Sequence, residues 1–427
     1  MYGDVAAPIC WMRTITKTLV DKAGLVQSKV DPCIFFKKNE KRELVLACTV
    51  FVDDTIAIGT RKELNILYKE LKKHYNIKIM GRLKKHLGIT YSWKIIKGKL
   101  VLTASMNKME QEIIETYERH TKEEVKPQPT PGYPGKTLQK FEGNPVDLEM
   151  FRSLIGKLLY YMTKIAPEMS NACRELSGHM DSPGPDHWKS LKRAVGYVKT
   201  RQGRGLRFTT PRNLTLHSYC DSSYATNPDD RKSITGTVNT LGGSLLNWSS
   251  KKQRIVTLSS TEAEYVALSE CAQETKFEWM LLNELLNQAT PATIHEDNTG
   301  AIFLAKNQQV GPRTKHIDVR HHHIRKQLAD RTLNLRFIKS EDNISDIMTK
   351  NCPKQTFKRH CEDLLNGTID SWREDVSEDD NDKVRTEHSN ESSKPERSRV
   401  ESSVPNSDLE KRKSGKEKSS FRNRPSP

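Results

Sequence analysis

Four acidic residues, each in a different local setting, constrain this 427-residue chain more than any other feature. Asp221 ends the apolar-alternating run Leu214-Thr215-Leu216-His217-Ser218-Tyr219-Cys220. Glu264 sits in Ser259-Ser260-Thr261-Glu262-Ala263-Glu264-Tyr265-Val266-Ala267, which reads as the start of a helix. Asp297 closes Ala292-Thr293-Ile294-His295-Glu296-Asp297, and Asp346 lies in Asn343-Ile344-Ser345-Asp346-Ile347-Met348-Thr349-Lys350. Singly, each is an ordinary solvated carboxylate. Together, on strand end, helix, strand end and helix start, they are what a two-metal phosphodiester-cleaving site needs. Carboxylates distant in sequence converge there on divalent cations that clamp the attacking and leaving oxygens of a phosphoryl displacement.

The elements around them follow a definite order. From Leu214 the pattern reads strand, hairpin, helix, strand, helix, helix, strand, helix. Ser233 to Thr240 and Ser244 to Trp248 pair across Leu241-Gly242-Gly243, Thr261 to Leu286 is a long helix with Ser260 as its N-cap, and Leu333 to Ile338 alternates as a late strand. The sum is a mixed sheet with helices.

The order and flanks of the four acids resemble the RNase H domain of copia-type LTR retrotransposon Pol polyproteins. In that family Ala-Glu-Tyr-x-Ala carries the helix carboxylate, so the likeness selects Glu264 over Glu262. It implies that Asp221, Glu264, Asp297 and Asp346 hold Mg²⁺, with Mn²⁺ as a substitute, and hydrolyse RNA in RNA–DNA hybrids. The segment from Arg313 to Arg325 resembles the family's basic helix-turn region, which makes Arg313 and Lys315 the candidates for contact with substrate phosphates. His321-His322-His323 invites a metal reading, but three consecutive histidines on a helix point in different directions.

Upstream, Phe51-Val52-Asp53-Asp54 lies between Leu44–Val50 and Thr55–Gly59, two apolar β-forming runs, and reads as a hairpin with both acids at its turn. An Asp-rich turn is common without catalysis, because Asp hydrogen-bonds its own backbone there. The neighbouring segments Asp31–Phe35 and Gly81–Ile89 resemble copia-type reverse transcriptase. That likeness makes Asp53 and Asp54 catalytic, metal-binding residues of a polymerase palm. The family's further palm carboxylate belongs to a segment before the one that Met1 to Trp11 resembles, and Asp4 and Asp21 lack its context. The expectation is therefore a truncated polymerase that does not extend a primer.

The fold class expected is α/β and α+β multidomain. Residues 1–105 form a partial reverse transcriptase palm, and 106–210 a helical thumb- or connection-like region with a Pro/Gly linker near 126–135. Residues 211–360 form the RNase H-like domain, and 365–427 a disordered charged tail too poor in apolar groups to fold. In the second region Leu154, Leu158, Tyr161 and Ile165 mark one helix face and Trp188, Leu191 and Val195 another, read as core.

Charge and cysteine usage bound the function. The net charge is +16, and residues 1–210 alone carry +15, which suits a binder of nucleic-acid backbones. The expected partners are RNA–DNA hybrid and other nucleic acid; protein partners are left open. A non-catalytic nucleic-acid-binding remnant of a retroelement is the alternative to the enzyme. The eight cysteines form no CxxC pair, against a structural zinc site or a disulfide scaffold. Cys33, Cys48 and Cys220 read as core thiols of a reducing compartment. No run of 18 apolar residues and no secretory signal is found, so an intracellular protein, cytoplasmic or nuclear and off the membrane, is expected.

Overall fold

Helix α1 (Ala7–Lys17) carries a proline in its first turn, where a missing N–H costs no hydrogen bond. Strands β1 (Val26–Gln27), β2 (Ile34–Lys38), β3 (Leu44–Phe51) and β4 (Asp54–Gly59) then form an antiparallel sheet in that order. Helix α2 (Arg61–His74) starts where Thr60 accepts a hydrogen bond from the Glu63 N–H, and its Leu67 and Leu71 close a core with Ile15, Leu19, Phe35, Leu46 and Val50. Cys48 belongs to this core, whereas Cys33, expected there, is only half-buried. The β3–β4 turn is one residue earlier than the sequence suggests. Phe51 pairs with Asp54, so Val52 and Asp53 form the turn and Asp54 begins β4.

The computed structural model describes residues 6–211, 213–287, 290–307 and 318–368, with backbone alone for 318–322. All fall within one unit, Met1–Trp372. Arg313, Lys315 and the charged tail from residue 369 lie outside the described residues.

Strands β5 (Lys85–His86), β6 (Ile89–Ile96) and β7 (Lys99–Ser105) form a second antiparallel set. After helices α3 (Asn107–Thr121), α4 (Leu148–Ile165), α5 (Ser170–Ser177) and α6 (Pro185–Arg201), strand β8 (Leu206–Thr209) returns to pair with β7. The region expected to be helical thus contributes a strand to a sheet begun before it. Leu154, Leu158, Tyr161, Ile165, Leu191 and Val195 are all buried, as their spacing predicts, and Trp188 packs at the rim.

The Pro/Gly-rich stretch read as a linker is packed instead. Gln128 donates its N–H to Gly196 O, Thr130 is buried, and the Arg193 guanidinium donates to Gly132 O and lies over the Tyr133 ring. Composition favours an extended backbone there, and α6 supplies the partners that hold it.

Strands β9 (Leu216–Ser223), β10 (Ile234–Leu241) and β11 (Ser244–Lys252) form an antiparallel meander, turning between the last two at Gly242-Gly243, both with positive φ. Helix α7 (Ser260–Leu286) follows. Then come β12 (Ala292–Glu296), α8 (Thr299–Lys306), α9 (Asp318–Ala329), β13 (Leu333–Phe337), α10 (Asp346–Thr349) and α11 (Lys354–Asn366). The five strands are ordered β11-β10-β9-β12-β13, with β12 parallel to both neighbours. This is the mixed sheet with helices read from the sequence. Leu365, expected at the head of the tail, is buried as part of the inward face of α11.

One apolar core joins the second and third parts. Phe151, Leu158, Tyr161 and Val198 belong to the same cluster as Tyr219, Val238, Met348, Phe357 and Leu364. The opposite face of the five-stranded sheet has its own core, where Tyr265, Leu268 and Ala272 of α7 meet Leu216, Ile294 and Leu335.

Candidate metal centre

The register of the mixed sheet places the first two acids. The parallel pairing of β9 with β12 ends at Tyr219 opposite His295. Asp221 comes two residues further along β9 and Asp297 directly after the end of β12, so both reach the same end of the sheet. Helix α7 delivers the third. Its N-cap is Ser259, one residue before the position expected, and the Ser259 hydroxyl accepts from the Glu262 N–H. The Glu262 side chain turns back to accept from the Leu258 N–H at 2.8 Å, which commits it to closing the helix end. Glu264 points elsewhere, and each of Asp221, Glu264 and Asp297 offers a carboxylate oxygen within 4.8 Å of the other two.

Asp346 arrives from above the sheet. Gly236, paired with Asp221 across β9 and β10, makes room for it, because a Cβ there would stand 2.6 Å from Thr349 Cγ2 and 2.8 Å from Met348 Cβ. Asn343, wholly buried, donates to Cys220 O at 2.8 Å and anchors the approach to α10. As a result the Thr349 hydroxyl donates to Asp221 Oδ2. Lys350 Nζ lies 2.9 Å from Asp346 Oδ1 and 3.8 Å from Asp221 Oδ2.

The electrostatics are those of carboxylates short of positive charge. Burial, then the charges of Glu296, Asp221 and Asp297, pushes the Glu264 carboxyl up to about 11. Glu264 Oε2 is buried with no hydrogen-bond partner. Burial also raises Asp221, against the pull of Lys350 and Thr349. Asp346 is pushed up to about 7 by burial and by Asp221, with Lys350 opposing. Glu264 therefore holds its proton at neutral pH unless a cation replaces it. The donors are all hard oxygens, the set that suits Mg²⁺ or Mn²⁺.

Three contributors were not singled out from the sequence. Glu296, beside the chosen Asp297, is wholly buried; it accepts from Cys220 Sγ at 3.1 Å and from the Asn298 N–H at 3.0 Å, and burial holds its carboxyl far above the usual range. Thr349 and Lys350 sit three and four residues after Asp346, the spacing that brings side chains to one helix face, and this was the signal available.

Asp346 and Lys350 also line a cavity of about 870 Å³, with Arg174, Lys252 and Lys136 on its walls. The trio itself lies outside that lining.

Asp53 and Asp54 are brought to a different place. Both are exposed at the β3–β4 turn, where Val52 has φ +55°, a strained value for a β-branched residue that costs on the order of 1–3 kcal/mol. The Trp11 indole donates to Val52 O and steadies this turn. His86 Nδ1 stands 3.7 Å from Asp54 Oδ2. Among the described residues, no third carboxylate, imidazole or thiol joins these two acids as a metal-binding group.

Residues 1–124 match the family model described as reverse transcriptase (RNA-dependent DNA polymerase). The retrovirus-related Pol polyprotein from transposon TNT 1-94 of Nicotiana tabacum is 30% identical over 374 residues, 86% of this chain and 27% of that protein. That from transposon RE1 of Arabidopsis thaliana is 30% identical over 362 residues, 84% of this chain and 24% of that protein. The chain is thus similar to retrotransposon Pol polyproteins over most of its length. It spans about a quarter of the length of these Pol relatives. Among solved structures, a foamy viral protease-reverse transcriptase in complex with double-stranded DNA aligns at TM-score 0.42 and 12% identity, covering 78% of this chain and 49% of that one.

Proposed function

We propose that this chain hydrolyses the RNA strand of RNA–DNA hybrids at the acidic end of its five-stranded sheet. One observation carries the reading: three carboxylates from two strands' ends and one helix converge within 4.8 Å, and a buried oxygen of one of them has no partner. Mutual repulsion and desolvation disfavour that arrangement unless a cation completes it.

Asp221, Glu264 and Asp297 would hold a divalent cation, Mg²⁺ or Mn²⁺, with Asp346 contributing at the edge. Bound divalent cations supply charge neutralisation at the attacking and leaving oxygens of a phosphoryl displacement. The protein's residues do the rest. The Thr349 hydroxyl fixes the rotamer of Asp221. Asn298, which accepts from the Ala301 N–H, starts α8 immediately after Asp297 and fixes the backbone there. Asp346, with its carboxyl raised to about 7, can take or release a proton at the mouth of the site near neutral pH. The cationic side chains Lys136, Arg174 and Lys252 along the adjoining cavity suit the phosphates of a bound strand.

The polymerase part reads differently. Asp53 and Asp54 stand without a third metal-binding partner among the described residues, so the chain as it stands is proposed to bind primed template without extending it.

The test is cleavage of a labelled RNA–DNA hybrid by the full chain in Mg²⁺ or Mn²⁺. Cleavage that disappears in Asp221→Asn, with hybrid binding retained, is the expected result. A wild-type chain that binds hybrid yet cuts nothing with either metal would leave the non-catalytic binder as the better reading.

A further inference from the structure

The acidic site already contains one positive charge of its own. Lys350 Nζ is 2.9 Å from Asp346 Oδ1 and 3.8 Å from Asp221 Oδ2, so one ammonium spans two acids on different elements. Asp346 is absent from the group of carboxylates close enough to share a single ion, which consists of Asp221, Glu264 and Asp297. The two halves of the site therefore differ. Glu264 Oε2 and Asp346 Oδ1 are both buried without a hydrogen bond, but only Asp346 Oδ1 has a countercharge beside it, the Lys350 ammonium at 2.9 Å.

The lysine is also free to leave. Its side chain is about half exposed, against 4% for Asp221 and 13% for Asp346, and it lines the open cavity. Asp221 would not be left unheld, because the Thr349 hydroxyl continues to donate to it.

We propose that Lys350 is a built-in countercation that competes with a divalent metal ion for Asp346 and Asp221. On this view the trio takes a first divalent cation readily, and a second, at Asp346, binds only as the ammonium swings out into the cavity. Lys350 is then a positioning residue that sets the order and relative affinity of the two cations. The inference rests on the reading of the trio as a metal centre, and the experiment separates the two.

Mn²⁺ binding to the full chain is measured by electron paramagnetic resonance of the free ion and by calorimetry, without substrate. Wild type is compared with Lys350→Gln, Lys350→Arg and Asp221→Asn. Removing a half-exposed charge this close should tighten the weaker Mn²⁺ site about tenfold in Lys350→Gln while leaving the tighter site within about twofold. Lys350→Arg, which keeps the charge, should stay near wild type, and this also guards against a loss of fold in the glutamine variant. Without metal, Lys350→Gln should melt below wild type, since Asp346 and Asp221 then face each other uncompensated; with saturating Mn²⁺ the gap should close. An unchanged weaker site in Lys350→Gln, with Asp221→Asn abolishing the tighter one, overturns the countercation role and leaves the metal centre standing. Absence of Mn²⁺ binding in wild type overturns both.

Discussion

Arg201 Nε donates to Glu168 Oε1 over 2.5 Å with both side chains wholly buried. The same guanidinium reaches the Tyr161 hydroxyl at 2.6 Å and Glu110 Oε1 at 3.4 Å, and Tyr161 in turn donates to Glu110. One cation thus serves two carboxylates brought by α3 and by the turn before α5, and it ties α6 to both. Removing a buried partner strands the others in a low-dielectric interior. Arg201→Ala should lower the unfolding free energy by about 3–5 kcal/mol, or prevent folding outright. Glu168→Gln should cost clearly less, because one arginine then faces one carboxylate. Denaturant melts of the two variants decide this; equal losses would mean that packing, not charge balance, sets the cost.

The shared core predicts how the chain can be cut. Tyr219, Val238, Met348 and Phe357 are covered by α4, α5 and α6 residues such as Leu158 and Val198. A piece spanning 211–361 would expose that face to water and also lose Leu364 and Leu365 of α11. It should show no cooperative thermal transition, whereas a piece spanning 104–368 should melt in one. Circular dichroism melts of the two would show whether the acidic site can be studied apart from its helical neighbour.

Part of this organisation was legible in the sequence and part was not. The alternation in Leu214–Cys220, the Gly-Gly hairpin and the N-cap serine ahead of Glu264 are local signals; they put Asp221 on a strand and Glu264 in the opening turns of a helix, though β9 runs two residues past Asp221 and β11 four past Trp248. Non-local pairings leave no such trace. Nothing near Leu206–Thr209 says that it will pair with β7, a hundred residues back. The packed state of the Pro/Gly stretch depends on Arg193 and on Asn351, which donates to Lys136 O. The one-residue offset at Asp54 follows from a strained Val52 that no propensity favours. Lys350 was in plain view at i+4 from Asp346, but its second partner, Asp221, lies on β9, far back in the chain.

Glu278 predicts a pH dependence away from the acidic site. Burial pushes its carboxyl up to about 7; Asn239 Nδ2 donates to it at 2.9 Å, and the charge of Glu274 adds to the rise. The folded value lies above the unfolded one of about 4.3, so the folded chain keeps a proton that the unfolded chain loses. Stability from this group is complete below about pH 4 and falls as pH rises toward 7, by up to about 3 kcal/mol. Glu278→Gln should therefore melt higher than wild type at pH 8 and close to it at pH 5. Thermal melts across that range check the sign; a larger gain at pH 5 would reverse it.

The basic surface predicts how nucleic acid binds. Residues 1–210 carry +15, and phosphate contacts release counterions in proportion to their number. Hybrid and duplex affinities should both fall steeply and linearly in log Kd against log salt, with little dependence on sequence. Titrations at several salt concentrations would show it; a flat line would remove backbone contact as the main term.

The sharpest prediction separates two glutamates on one helix. Glu262 and Glu264 are two residues apart, about 200° around α7, and both are largely buried. Their surroundings assign them opposite roles. Glu262 accepts the Leu258 N–H and helps to close the helix end, a function that glutamine can fulfil with its own carbonyl oxygen. Glu264 joins Asp221 and Asp297 with a free buried oxygen, and its charge is what a cation would draw on. Glu264→Gln should lose hybrid cleavage by at least about a hundredfold while binding hybrid normally, because a neutral amide cannot replace the carboxylate's charge on the cation. Without metal it should also be the more stable protein, since the amide needs no proton to sit among three other acids. Glu262→Gln should keep cleavage within a few-fold of wild type. Cleavage rates and metal-free melting curves of the two variants, measured side by side, test both halves; an inactive Glu262→Gln beside an active Glu264→Gln would place the helix carboxylate one half-turn away from where the geometry puts it.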